Sequence, residues 1–264
     1  MEIDTNGTRI HVAQQGSGDL ALVFLHYYGG SSRTWDGVAS ALADGYRIVA
    51  TDHRGWGKSA AHVDGYGIAD LAVDAEGVIQ ALGLARYVLV GHSMGGKVAQ
   101  LIASHRPRGL EGLVLVAPSP PSPASLSDEE RAMLTGAYQS RESVEFVIDH
   151  VLTAKSLDAT QREQVIEDSL KGAPQAKAGW PNVAMREDIS AEVVSIDAPT
   201  IVISGELDQV DRVATLQAEL MPRIPHAAMH ILPGVGHLSP LEAPAELAQI
   251  IARFVAGIES GIAV

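Results

Sequence analysis

Short runs of mostly apolar residues constrain this chain most. Leu20-Ala21-Leu22-Val23-Phe24-Leu25 has no polar alternation, as expected of a strand buried on both faces rather than one. Similar runs follow at Tyr46 to Thr51, Tyr87 to Val90, Leu113 to Ala117, Thr200 to Ser204 and Ala228 to Leu232. Between them the period changes. Ile68, Leu71, Ala72, Ala75, Val78, Ile79 and Leu82 recur at helical spacing, as do Val98, Leu101 and Ile102 before Arg106-Pro107. Strands alternating with helices imply an α/β chain whose mostly parallel sheet is covered on both faces. Ahead of it, Ile3 to Thr5 and Thr8 to Ala13 flank Asn6-Gly7, a pair suited to the positive φ angles of a type I′ hairpin.

The alternation stops between about Ser119 and Asp197. Pro118, Pro120, Pro121 and Pro123 mark the exit from a strand, and helical patterns without a strand follow. Ser127 and Glu130 form a predicted capping box for the first of these helices. A helical insertion between two core strands does not join the sheet, so residues 119–197 are predicted to cap one end of a core built from 1–118 and 198–264. Pro244 to Ile258 completes the core as an amphipathic helix.

Composition narrows the function classes. The chain has 264 residues, no cysteine and a net charge of −13. Without cysteine there are no disulfides, thiolate metal sites or thiol nucleophiles. The acidity opposes binding to nucleic-acid backbones and to anionic membranes. The start, Met-Glu-Ile-Asp-Thr-Asn-Gly, lacks the basic and apolar regions of a signal peptide, and no stretch approaches the roughly 18 apolar residues of a membrane span, so the expected location is cytoplasmic.

The chemistry concentrates in Val88-Leu89-Val90-Gly91-His92-Ser93-Met94-Gly95-Gly96-Lys97, a G-x-S-x-G between a buried strand and a helix. A strand-to-helix elbow lifts the serine oxygen above the sheet edge, and the glycines let neighbouring backbone pass close by. A serine hydroxyl needs a base within reach to become a nucleophile. His237, in Gly234-Val235-Gly236-His237 after the last strand, is the candidate base. Asp208, in Gly205-Glu206-Leu207-Asp208 after the preceding strand, is the candidate to orient it. Glu206 and Asp211 compete for that place; otherwise they are solvated loop charges.

These segments, together with His26-Tyr27-Tyr28-Gly29-Gly30-Ser31-Ser32-Arg33-Thr34-Trp35 and Asp52-His53-Arg54-Gly55-Trp56-Gly57-Lys58-Ser59, resemble the α/β-hydrolase superfamily over nearly the whole length. Small esterases, aryl esterases, perhydrolases and cofactor-free haloperoxidases are the most similar groups. The resemblance implies the α/β-hydrolase fold and a serine carboxylesterase. Its catalytic residues would be Ser93, Asp208 and His237, its oxyanion donors the Tyr28 and Met94 backbone N–H groups. It acts on a small-molecule ester through an acyl-enzyme, without metal or cofactor. Tyr27 stands where the family has glycine, which leaves Tyr27 and Tyr28 both open as the donor. Asp52 and Arg54 are expected to fix loops around the site. Serine at the elbow, where haloalkane dehalogenases and epoxide hydrolases have aspartate, excludes both.

Tyr27, Phe146 and Trp180 are the candidate substrate-binding side chains, with Val147 and Leu152 as further lining candidates. A mostly apolar cap implies a small or medium uncharged acyl group. The alternatives are a perhydrolase or cofactor-free haloperoxidase using the same triad, a C–C hydrolase or lyase, and a ligand-binding protein that has lost turnover.

Overall fold

The computed structural model describes residues 1–261. These residues form one eight-stranded sheet from β1 (Glu2–Thr5), β2 (Thr8–Gln15), β3 (Ala21–Leu25), β4 (Arg47–Thr51), β5 (Tyr87–His92), β6 (Leu110–Val116), β7 (Thr200–Gly205) and β8 (Ala228–Leu232). Their spatial order is β1-β2-β4-β3-β5-β6-β7-β8. β2 pairs antiparallel with β1 and β4, and every other pairing is parallel. The β1–β2 turn is the predicted one, with Asn6 at φ 45° and Gly7 at φ 72°.

The helices are α1 (Asp36–Leu42), α2 (Ile68–Ala81), α3 (Met94–Ser104), α4 (Asp128–Gly136), α5 (Arg141–Val147), α6 (Ala159–Lys171), α7 (Pro174–Asn182), α8 (Ser190–Val193), α9 (Val213–Glu219), α10 (Ser239–Glu242) and α11 (Pro244–Glu259). Alternate residues of the central strands feed two cores. Leu22, Phe24, Val88, Val90, Val114 and Val116 pack with Trp35, Val38 and Leu42 around α1 and with Leu247, Ile251 and Phe254 of α11. Val23, Leu25, Leu89, Leu113 and Leu115 pack on the other face with residues of α2 and α3, among them Ile68, Leu71, Val78, Val98 and Ile102. Burying each such side chain contributes roughly 1.5–3 kcal/mol, and this is why the runs are apolar at consecutive positions.

β8 departs from that pattern. Leu232 is buried but Ile231 is exposed, because β8 is an edge strand with a neighbour on one side only. Between β6 and β7 the chain forms α4 to α8 and no strand, with a π-helical turn at Ile148–Leu152 after α5. The predicted capping box starts α4: Ser127 N–H donates to Glu130 Oε2 at 2.8 Å, and Glu130 N–H to Ser127 Oγ at 3.2 Å.

Candidate active site

One residue separates β5 from α3, and it is Ser93. Its backbone has φ 52° and ψ −113°, a conformation that a side-chain-bearing residue adopts only when its surroundings impose it. The neighbouring glycines show what imposes it. A Cβ on Gly91 would strike the Gly95 carbonyl, and one on Gly95 would lie 2.5 Å from the Leu25 carbonyl oxygen. Ser93 N–H donates to the Val116 carbonyl at 3.1 Å, and the Ser93 carbonyl accepts from Ser119 N–H at 3.1 Å. The turn is therefore held from β3, β6 and the segment after β6.

The loops after β7 and β8 bring the second and third groups together. A Cβ on Gly205 would collide with the carbonyls of Val235 and Gly236, so the two loops are pressed backbone to backbone. Across that contact His237 Nδ1 lies 2.8 Å from Asp208 Oδ2, with both side chains buried. Asp208 Oδ1 accepts the N–H groups of Val210 at 2.8 Å and Asp211 at 3.0 Å, so the carboxylate is fixed before it meets the imidazole. Burial pulls the His237 pKa down, but the charge and hydrogen bond of Asp208, with the charges of Asp211 and Glu242 adding, together outweigh it, and the net shift is upward. Glu206 takes neither role: its Oε2 accepts the Gly234 N–H at 2.9 Å and steadies the histidine loop.

His92 fixes that loop from beneath. Its Nε2 lies 2.9 Å from the His237 carbonyl, which can only accept, so Nε2 carries the proton. Burial, reinforced by His237, holds the His92 pKa well below the ordinary imidazole value.

Asp211 is not a solvated loop charge. It is 7% exposed, and the Ser93 hydroxyl donates to its Oδ2 at 3.4 Å. Among the described residues, no hydrogen bond joins that hydroxyl to His237. The inward turn has a local cause, because Asp208 Oδ1 captures the N–H groups two and three residues on, as turn-forming aspartates do. That signal was present in Asp208-Gln209-Val210-Asp211.

A cavity of about 260 Å³ opens beside Ser93. Leu126, Trp180 and Met185 line it from the helical segment. Asp211, Thr215 and Glu219 line it from the region after β7, and Ser119, Ser122 and Ser125 from the loop after β6. The helical side of this cavity is apolar, as expected, whereas its core side carries two carboxyl groups, Asp211 and Glu219. Lys97 sits behind the serine-rich loop, donating to the carbonyls of Ser122 at 3.2 Å and Glu187 at 2.7 Å, and burial lowers its pKa to about 8.

Of the three candidate substrate-binding side chains, Trp180 lines this cavity. Phe146 does not: it is 58% exposed and stacks on His150 at 4.3 Å. The inward face of α5 is set by Val144 and continues to Ile148, four residues on, so Phe146 falls on the opposite side. Tyr27 is also corrected, because its ring is buried against His92 at 5.2 Å, outside the cavity lining. Val147 and Leu152 pack in the core instead.

The N–H groups of Tyr27, Tyr28 and Met94 have no hydrogen-bond partner among the described residues. Tyr27 and Tyr28 lie on the loop after β3 and Met94 at the start of α3, and a 3.2 Å bond from Gly95 N–H to the His26 carbonyl joins the two. His26 Nε2 accepts from His53 N–H at 2.9 Å, so Nδ1 holds the proton shared with the Tyr27 carbonyl at 2.7 Å. Asp52 accepts Ser32 N–H at 2.6 Å and Lys58 N–H at 2.8 Å, and Arg54 pairs with buried Asp74 through two 2.6 Å contacts. Both residues hold loops, as expected.

A model of the alpha/beta hydrolase family matches residues 22–250. The chain is 28% identical over 251 residues to a non-heme haloperoxidase of Rhodococcus erythropolis, covering 88% of this chain and 90% of the relative. It is 29% identical over 246 residues to a 2-hydroxy-6-oxononadienedioate/2-hydroxy-6-oxononatrienedioate hydrolase of Cupriavidus pinatubonensis, covering 87% and 84%. In fold it is similar to an esterase from Exiguobacterium antarcticum, with a TM-score of 0.89 over 97% of this chain and 98% of the other at 24% identity. No described helix is long and apolar enough to cross a membrane.

Proposed function

This chain belongs to the alpha/beta hydrolase family and has its fold, and on that premise we propose that it is a serine carboxylesterase acting on small to medium carboxylic esters through an acyl-enzyme. The observation that carries the reading is the buried 2.8 Å contact between His237 and Asp208, assembled beside a serine held in a strained elbow.

The Ser93 hydroxyl rests on Asp211, and rotation about its Cα–Cβ bond is the movement that hands its proton to His237 Nε2. Catalytic hydrogen bonds commonly tighten only when substrate is bound. Asp208 keeps the proton on Nδ1, leaving Nε2 free to accept, and stabilises the imidazolium that forms. As Ser93 Oγ bonds to the ester carbon, the carbonyl π electrons move onto oxygen. The unpartnered N–H groups of Met94 and of Tyr28 or Tyr27 receive that oxyanion, and removing one such donor typically costs on the order of a hundredfold in rate. His237 returns the proton to the departing alkoxide. Water then attacks the acyl-enzyme with the same histidine as base, and the carbon–Ser93 Oγ bond breaks as His237 returns the proton to Oγ and the acid leaves.

A chain-length series of p-nitrophenyl esters, run on the wild type and Ser93→Ala, tests the assignment. Turnover should fall by at least about a thousandfold in the variant, and undiminished turnover would overturn the reading. The similarity to a haloperoxidase supports a second acceptor at the same site, with peroxide replacing water at the acyl-enzyme. Peracid formation from acetate and peroxide, measured beside p-nitrophenyl acetate hydrolysis, separates the two.

A further inference from the structure

Asp211 takes no part in the relay of Ser93, His237 and Asp208, yet it lines the cavity beside Ser93. It is more than nine-tenths buried, it lines the cavity, and its side chain makes one hydrogen bond, the 3.4 Å contact from Ser93 to Oδ2. Among the described residues Oδ1 has no hydrogen-bond partner. That leaves an acceptor at the cavity wall that no protein donor satisfies and that a donor entering the cavity can reach.

The rest of the lining says what that would be. Glu219 is the second carboxyl, accepting from the Ser122 hydroxyl, and Ser119, Ser125 and Thr215 add hydroxyls. No lysine, arginine or histidine lines the cavity. The charged groups facing Asp211 are His237 and Asp208 from the catalytic loops and Lys97 from α3, whose ammonium is committed to two carbonyls. An anionic substrate would meet two carboxyl groups and no cationic side chain. A protonated amine would meet two carboxyl groups and the indole of Trp180.

Resting on the serine-esterase reading, we propose that Asp211 is a specificity-determining residue that selects esters carrying a protonated amine close to the scissile carbonyl, its carboxylate accepting the ammonium N–H while Ser93 turns to His237. Burial pushes the Asp211 carboxyl up to about 8, against the pull of His237, with Asp208 adding to the rise. A bound ammonium favours the carboxylate, so amine binding releases the carboxyl proton. The preference for the cation therefore strengthens as pH rises from about 6 to 8.

Two pairs of neutral and cationic isosteres test this on either side of the ester. The acyl pair is p-nitrophenyl 3-(dimethylamino)propanoate against p-nitrophenyl 4-methylpentanoate. The alcohol pair is 2-(dimethylamino)ethyl acetate against 3-methylbutyl acetate. With kcat/KM divided by the spontaneous rate, the wild type should prefer the amine in at least one pair by about tenfold or more. That preference should collapse in Asp211→Asn. A wild type without preference, or a preference that survives in Asp211→Asn, would overturn the assignment. Should Asp211→Asn not fold, wild-type inhibition by butylammonium chloride against 1-butanol decides. About tenfold tighter inhibition by the ammonium supports the site, and equal or weaker inhibition removes it. Ser93→Ala separates the two readings: if it still turns over all four esters, the serine reading fails. If it abolishes turnover while Asp211→Asn leaves the wild-type ratio unchanged, the assignment of Asp211 alone fails.

Discussion

The elbow end of the sheet and the helical segment of residues 119–197 face each other across one cavity but are held by different physics. Around Ser93 the backbone is packed so closely that glycine is required at 91 and 95, and apolar side chains fill both faces of the strands beneath. The helical segment packs its apolar residues into the same core, and a set of polar ties is added to that packing. Asp168 of α6 is buried and accepts the Ser31 hydroxyl at 2.7 Å and Arg33 Nη2 at 2.7 Å, while Ser169 Oγ donates to the Gly29 carbonyl at 3.0 Å. At the far side, Glu242 accepts the N–H groups of Ala154 and Lys155 at 2.9 Å and of Gly236 at 3.1 Å. The difference teaches where each property resides. Ser93, Asp208 and His237 are placed by backbone approach, which tolerates little change, whereas the helical wall of the cavity combines side-chain packing with a few ion pairs and hydrogen bonds.

Three substitutions sharpen or break that contrast. Asp208→Asn should leave the fold intact and lower kcat by about 10³–10⁴-fold, since an amide does not hold the imidazole in the required tautomer. It should also move the acid limb of the kcat/KM profile. His237 must be neutral to accept a proton, so wild-type activity falls as pH drops through its raised pKa. Without the Asp208 carboxylate that limb shifts to lower pH, and an unmoved limb would mean that His237 is not the titrating base.

Asp168→Asn breaks a buried charge contact in the other region. The melting temperature should report a loss on the order of 2 kcal/mol. KM should rise more than kcat falls, and limited proteolysis within residues 119–197 should quicken. An equal loss in kcat would show that the two regions are not separable. The smallest effect is expected for Phe146→Ser, within about 0.5 kcal/mol in stability and with unaltered kinetics, because the ring lies on the outer surface of α5. A change in chain-length preference there would place Phe146 at the substrate after all.

The same contrast explains what could be read from the amino-acid order. Strands buried on both faces leave consecutive apolar residues, so β3 to β7 were visible, and glycines forced by close approach marked the elbow and the loops after β7 and β8. The phase of α5 was not visible. Val144, Phe146 and Val147 are all apolar, and which of them turns inward is decided by the neighbours of the helix. β8 read as doubly buried because composition does not report the absence of a further strand. Asp211 was the costliest miss: a carboxylate on a loop looks like a surface charge, and its burial follows from a turn three residues long closed by Asp208.

Lys97 ties the serine-rich wall, through the Ser122 carbonyl, to the segment of Glu187, and a main-chain oxygen is the same whatever side chain its residue carries. Residues 119–125 can therefore exchange their side chains without losing their anchorage to the nucleophile's own helix. Natural drift or directed evolution at Ser119, Ser122 and Ser125 should retune what enters the cavity while the distance from that wall to Ser93 stays fixed.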